Sequence, residues 1–113
     1  MRTPMLNRRL VLEEAERSSD GAGGYSSVWK PRGVLWGELK AGSGRERGDL
    51  GLMTVSSTPY RITVRAAPPG SPRRPRPEQR FREGERIFEI ISVADTDPEG
   101  KYITCFATEE SVA

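Results

Sequence analysis

Between Thr58 and Ala66 the chain alternates strictly, with Tyr60, Ile62 and Val64 on one side and Arg61, Thr63 and Arg65 on the other. A period of two belongs to a pleated strand with one buried face, and no helix can hide such a set on one stripe. The opposite face is basic and turned to solvent or a partner. Two more strands follow near the end: Arg86–Ala94, then Lys101–Thr108 with Tyr102, Thr104 and Phe106 alternating. The polar turn Asp95–Gly100 joins them into a hairpin. Near the start, Asn7–Ala15 sets Leu10 and Leu12 against Arg9, Val11 and Glu13. That spacing predicts a strand, although Leu, Glu, Ala and Arg also suit a helix.

Glycine and proline set the connections. Ser18–Gly24 is a turn or loop. Tyr25–Lys40 carries Val28, Trp29, Val34, Leu35, Trp36 and Leu39, interrupted by Pro31 and Gly33. It reads as two short strands or as one bent strand, with Val34–Lys40 extended in either reading. Residues 41–57 are Gly-rich and polar, too long for an ordinary connection, and are expected as an extended loop. Residues 67–79 hold five prolines and three arginines, which favours extended, polyproline-like chain and forbids a sheet interior. Gln79–Glu83 suits a short strand before a Gly84-Glu85 turn. The expected fold is therefore all-β: a small antiparallel β-barrel or sandwich of five to six strands. It forms one domain over 1–113, with two long loops, 41–57 and 67–79.

A chain of 113 residues with 35% hydrophobic and 30% charged residues buries only a thin core. Part of its stability is expected to come from a partner. Charge is unevenly placed. Residues 61–82 hold seven Arg against one Glu, and residues 83–113 hold eight acids against Arg86 and Lys101. Such polarity suits nucleic acid at one surface, head-to-tail contact between identical subunits, or opposite charges lying side by side in solution.

The chain has no histidine and one cysteine. This removes the commonest general base, the Ser-His and Cys-His nucleophile pairs, intramolecular disulfides and nearly all zinc sites. Cys105 lies in an apolar strand, where a buried inert thiol is expected. No apolar run approaches a membrane span and no signal-peptide core precedes the first strand, so the chain is expected to be made or assembled in a cytoplasm. Asp95-Thr96-Asp97-Pro98-Glu99-Gly100 resembles the opening of a calcium loop, but Phe106 stands where the closing Glu belongs, leaving an acidic hairpin turn. Neither Gly42-Ser43-Gly44 nor Gly21-Ala22-Gly23-Gly24 carries the lysine of a phosphate loop. Nothing singles out two of the carboxylates for acid–base work. No enzyme, cofactor or metal site is expected.

Arg73, Arg74, Arg76, Arg80 and Arg82 could neutralise phosphates without reading bases, since only Phe81 lies near for stacking. They equally suit an arm docked on the acidic surface of a neighbouring protein, the reading preferred here. Trp29 and Trp36, each flanked by apolar residues, are expected as core or subunit-interface anchors.

The order of these features resembles the phage head–tail joining family, the stoppers and head-closure proteins of tailed phages and gene transfer agents. The correspondence runs through the strand Arg8–Glu14, the pair Gly23-Gly24, Trp29, and the strand Val34-Leu35-Trp36-Gly37-Glu38-Leu39. It continues past a long Gly/Arg/Glu loop to Tyr60-Arg61-Ile62-Thr63-Val64-Arg65 and Arg86-Ile87-Phe88-Glu89-Ile90. Val93, an Asp-rich turn and a last strand ending in Glu109-Glu110 complete it. Gly37 departs from the family's usual Ala, and the Pro/Arg-rich connection before the last hairpin is also unusual. The resemblance implies a homo-oligomeric ring, hexamer or dodecamer, in the neck of a virion or phage-like particle assembled in the bacterial cytoplasm. Its implied neighbours are the portal-side adaptor, the tail terminator or tail tube proteins, and packaged double-stranded DNA in the channel; no membrane is involved. The implied channel loop carries Gly42, Ser43, Gly44, Arg45, Glu46, Arg47 and Asp49. A tail-side completion role and a small β-barrel nucleic-acid-binding module are the alternatives.

Overall fold

The computed structural model describes residues 3–42, 45–50 and 53–112, with side chains described for 3–42 and 57–110. Its strands are β1 (Arg8–Ser19), β2 (Tyr25–Ala41), β3 (Arg45–Leu50), β4 (Met53–Arg65), β5 (Arg80–Glu83), β6 (Arg86–Ala94) and β7 (Tyr102–Val112). All pairings are antiparallel, in the order β2-β1-β5-β6-β7-β4-β3. A further pairing of β2 with β4 closes six of the strands into a ring, with β3 outside the closure. The all-β expectation holds, and closure removes the free edges that a six-stranded open sheet would expose.

Each of the six closed strands supplies its alternate residues to the interior. Leu10 and Leu12 come from β1, Leu35 from β2, Ile62 and Val64 from β4, Phe81 from β5, Phe88 and Ile90 from β6, and Ile103, Cys105 and Ala107 from β7. Burying a side chain the size of Phe or Ile is worth about 1.5–3 kcal/mol. Phe88 also meets the edge of Tyr60, with ring centroids 5.0 Å apart. At the seam Gly37 pairs with Arg8 on one side and Val64 on the other. A Cβ there would lie 2.9 Å from Leu10 Cδ1 and 3.1 Å from the Thr63 carbonyl oxygen. Glycine lets the three strands close.

One open alternative is decided and two expectations need adjusting. Tyr25–Ala41 is a single strand, because the ladder shifts register opposite Leu12 and Glu13, skipping Arg32. Gly33, at φ +152°, accepts the distortion, and Pro31 pairs only with β1, at a strand edge where proline is tolerated. Residues 41–57 are not one long loop. β2 runs through Ala41, and Arg45–Leu50 pairs back on β4. Main-chain pairing beyond the core holds this stretch, so it lacks the apolar alternation that marks half-buried strands.

The segment 67–79 is not an extended polyproline run either. Successive turns fold it onto the sheet: Ser71 N donates to Pro68 O (3.0 Å), Arg74 N to Ser71 O (3.0 Å) and Gln79 N to Arg76 O (3.2 Å). Pro75 is fully buried. Proline fixes φ near the value these turns require, so the same composition serves either geometry.

Candidate functional site

The charged residues form an organised layer on the outside of the closed sheet. Its centre is Glu13, at the register shift in β1, whose side chain is 6% exposed. Arg80 and Arg82 of β5 sit two residues apart and so share a face. Their Nε atoms donate to the two oxygens of Glu13 at 2.8 and 2.9 Å. Arg80 also lies over the Trp29 ring, 4.0 Å from its centroid. Burial pushes the Glu13 carboxyl upward, but the hydrogen bonds from Arg82 and Arg80 outweigh it, and the group stays below the usual carboxylate range.

Neighbouring pairs extend the layer. Glu14 accepts from Arg32 (3.0 Å), Arg76 and Gln79 (3.3 Å), and Arg32 also reaches Glu16 at 2.6 Å. Arg8 grips Glu83 through two bonds of 2.6 Å, and Arg86 grips Glu109 through bonds of 2.8 and 3.0 Å while donating to the Tyr60 hydroxyl. These forked pairs are the strong geometry for arginine and carboxylate. Hydrogen bonding to Arg8 and Arg86 holds Glu83 and Glu109 low.

This arrangement decides where the arginines expected at a partner or DNA surface stand. Arg80 and Arg82 are committed to Glu13, and Arg76 to Glu14. Arg74 donates to the Ala67 carbonyl (3.0 Å) and Asp95 (3.4 Å), and Arg73 to the Val34 carbonyl (3.2 Å). All five have an acceptor within the chain. Trp29 is half-buried beneath Arg80, whereas Trp36 is 52% exposed on the outer face of β2. Trp36 borders a cleft of about 290 Å³ with Leu6, Leu35, Arg65 and Arg73. Gly42 packs against Pro59 and donates to its carbonyl at 2.7 Å. Ser43 and Gly44 lie outside the described residues, as do the side chains of Arg45, Glu46, Arg47 and Asp49 on β3.

Among the described residues, the six carboxyls with a shifted pKa, Glu13, Glu14, Asp20, Glu83, Asp97 and Glu109, are all held low, as acceptors rather than proton donors. Asp97 caps its own turn by accepting from the main-chain N–H groups of Glu99, Lys101 and Tyr102. Burial pushes the Cys105 thiol up to about 12, with Arg74 opposing weakly.

Glu13 and Glu14 were absent from the functional residues expected from sequence. The available signal was Arg80 and Arg82 at strand spacing. Two guanidiniums on one face of a half-buried strand call for a carboxylate across the ladder.

Comparison with known proteins agrees with this architecture. A family model described as phage head completion protein matches residues 1–110. Among solved structures, a chain of "Virion of native gene transfer agent (GTA) particle" is 58% identical and superposes with a TM-score of 0.87, covering 98% of this chain and 100% of that one. No curated protein matches. With nearly its whole length matched, from the first strand to the acidic end of β7, this chain belongs to the phage head completion protein family.

Proposed function

We propose that the chain is a structural neck protein of a tailed phage or gene transfer agent particle. It closes the filled head and presents a platform to the tail, without catalysis. The match to the head completion family over residues 1–110 carries this reading, and the likeness to a chain of a gene transfer agent virion supports it. Several copies, six or twelve, would form a ring around the DNA channel between the portal-side adaptor and the tail terminator or tail tube. The β3 segment stands outside the closed sheet and depends on β4 alone, which suits an element that reaches toward the channel. Gly42, Ser43, Gly44, Arg45, Glu46, Arg47 and Asp49 belong to that reach.

The rival reading, a nucleic-acid module working through Arg73–Arg82, is weakened by geometry. An arginine paired with Glu13 or Glu14 must break that pair before it can neutralise a phosphate. Electron microscopy of particles from a host lacking this gene tests the neck role. Separate DNA-leaking heads and finished free tails are expected. Intact joined particles would overturn it, and intact heads beside unfinished tails would move the protein to the tail side.

A further inference from the structure

The hairpin of β1 and β2 outruns the closed sheet. The β1–β5 ladder ends at Glu13 and the β2–β4 ladder begins at Gly37, so beyond Glu13 the two strands pair only with each other. The six steps from Glu13 to Ser19 carry the tip about 20 Å past that ladder. From Ala15 to Lys30 no residue is buried; Gly24 and Trp29 are half-buried and the rest exposed. A two-stranded ribbon with both faces and both edges in water is marginal on its own. Near the tip, one face sets Tyr25, 67% exposed, under the Arg17 guanidinium, which lies 4.5 Å from the ring centroid. Arg17 has no ion-pair partner among the described residues.

The outer face of β6 offers a matching recess. Its ladder with β7 passes from Ile90–Ala107 to Ser92–Phe106 and leaves Ile91 as an extra residue. Ile90 and Val93 keep their inward places, so the bulge leaves the core alternation intact and adds one outward isoleucine, 61% exposed. Ile91 borders a groove of about 500 Å³ with Trp29, Pro77, Glu78 and Glu89. Neither Glu78 nor Glu89 has an ion-pair partner among the described residues. The arginines beside them are engaged elsewhere: Arg80, the ladder partner of Glu89, by Glu13 and the Trp29 ring, and Arg76 by Glu14. On the far side of Ile91 a second groove is basic, with Lys40 and Arg61 beside Phe106.

We propose that the ribbon of each copy docks in the Ile91 groove of the next copy. Tyr25 packs on Ile91 and Trp29, and Arg17 meets Glu78 and Glu89. An aromatic ring and an arginine entering a half-apolar recess are the residue types that carry interfaces. Asp20, at the ribbon's tip, then faces Lys40 and Arg61. Cation, aromatic ring and carboxylate along the ribbon thus meet carboxylates, apolar floor and cations along the recess, which fixes the direction of docking. A chain cannot fill its own groove. Trp29, part of the floor, stands four residues from Tyr25 in the same strand, and folding the tip back would break the β1–β2 ladder. Arm and recess are two different surfaces, so the contact is head-to-tail and closes into a ring by rotation. This contact rests on the ring of the neck reading and names the surfaces that build it.

The test uses the full chain in particles. Arg17→Glu and Glu89→Arg should each lower incorporation about tenfold, because either one sets like charges together in every contact. Joined in one chain they should restore most of it, since each contact again pairs opposite signs. Normal incorporation of either single variant, or no recovery in the double, would overturn the docking. Ser19→Cys with Ile91→Cys keeps every charge and guards against misfolded reversals. In particles, a short bismaleimide should link it into a ladder of multimers, and Ser19→Cys alone should give none beyond a dimer. Buried Cys105 stays out of the reaction. A ladder that stops at the dimer would overturn the head-to-tail arrangement, and a link from position 19 to another virion protein would overturn the choice of partner. No ladder here, while an amine cross-linker still gives one with the parent chain, would sink the docking and leave the ring. No ladder from the parent would sink both.

Discussion

Replacing Glu13 with Gln removes one charge and almost no volume from the most enclosed ionic site among the described residues. Its side chain is 6% exposed, whereas Arg80 and Arg82 are 22% and 40% exposed. Breaking a fully buried pair by removing one partner costs about 3–5 kcal/mol, mostly for the charge left behind. Here both guanidiniums can partly rehydrate, and the amide oxygen still accepts one bond. The expected loss is thus about 2–3 kcal/mol, or roughly 10 °C in Tm for a domain of this size. Thermal unfolding followed by circular dichroism at pH 7 measures it. Acid titration adds a second readout. Because the folded Glu13 carboxyl is held below its ordinary 4.5, the unfolded chain binds its proton first as pH falls. The stabilisation is present above about 4.5 and drains away below it. Glu13→Gln should therefore unfold less steeply with acid than the parent. A loss under about 1 kcal/mol, with an unchanged acid limb, would refute the claim that this pair anchors β1 to β5.

At the seam, Gly37→Ala should cost about 1–3 kcal/mol in a chemical melt, since its Cβ would press on Leu10 and the Thr63 carbonyl. Cys105 should resist a thiol reagent until the chain is unfolded. With the folded thiol at about 12 against an ordinary 9.0, stability should fall as pH rises from about 9, because only the unfolded chain ionises there. Deleting residues 42–52 should leave the six-stranded closure folded by circular dichroism, as β3 pairs only with β4, while heads carrying the deletion leak DNA. Normal DNA retention by those heads would remove the channel role from this segment.

The strands were legible wherever one face is buried and the other solvated. Tyr60-Ile62-Val64 and Phe88-Ile90 state their own geometry, and the Asp95–Gly100 turn is written in its residues. Residues 45–50 were illegible because pairing outside the core imposes no hydrophobic period. The Pro/Arg segment misled for a related reason. Proline records a φ value, not whether successive turns will fold the chain down or leave it extended. The choice between a barrel and a sandwich stayed open. It depends on β2 meeting β4 across the Gly37 seam, a contact between strands whose individual patterns say nothing about order. The family resemblance supplied what periodicity could not. The arginines illustrate the limit on the site: their number was plain, but their carboxylate partners lie up to 75 positions away.

That long reach gives the ionic layer its purpose. Exposed ion pairs contribute little stability one at a time, and this chain's thin core cannot be made good by counting them. Their value lies in register. Arg8–Glu83, Arg80–Glu13 and Arg82–Glu13 all join β1 to the β5–β6 hairpin, which only three ladder positions of β1 and β5 otherwise bring together. A slip of one residue there would turn Phe81 outward and carry both arginines inward, away from Glu13. The correct closure is thus the arrangement that buries the phenyl ring and satisfies the carboxylate together.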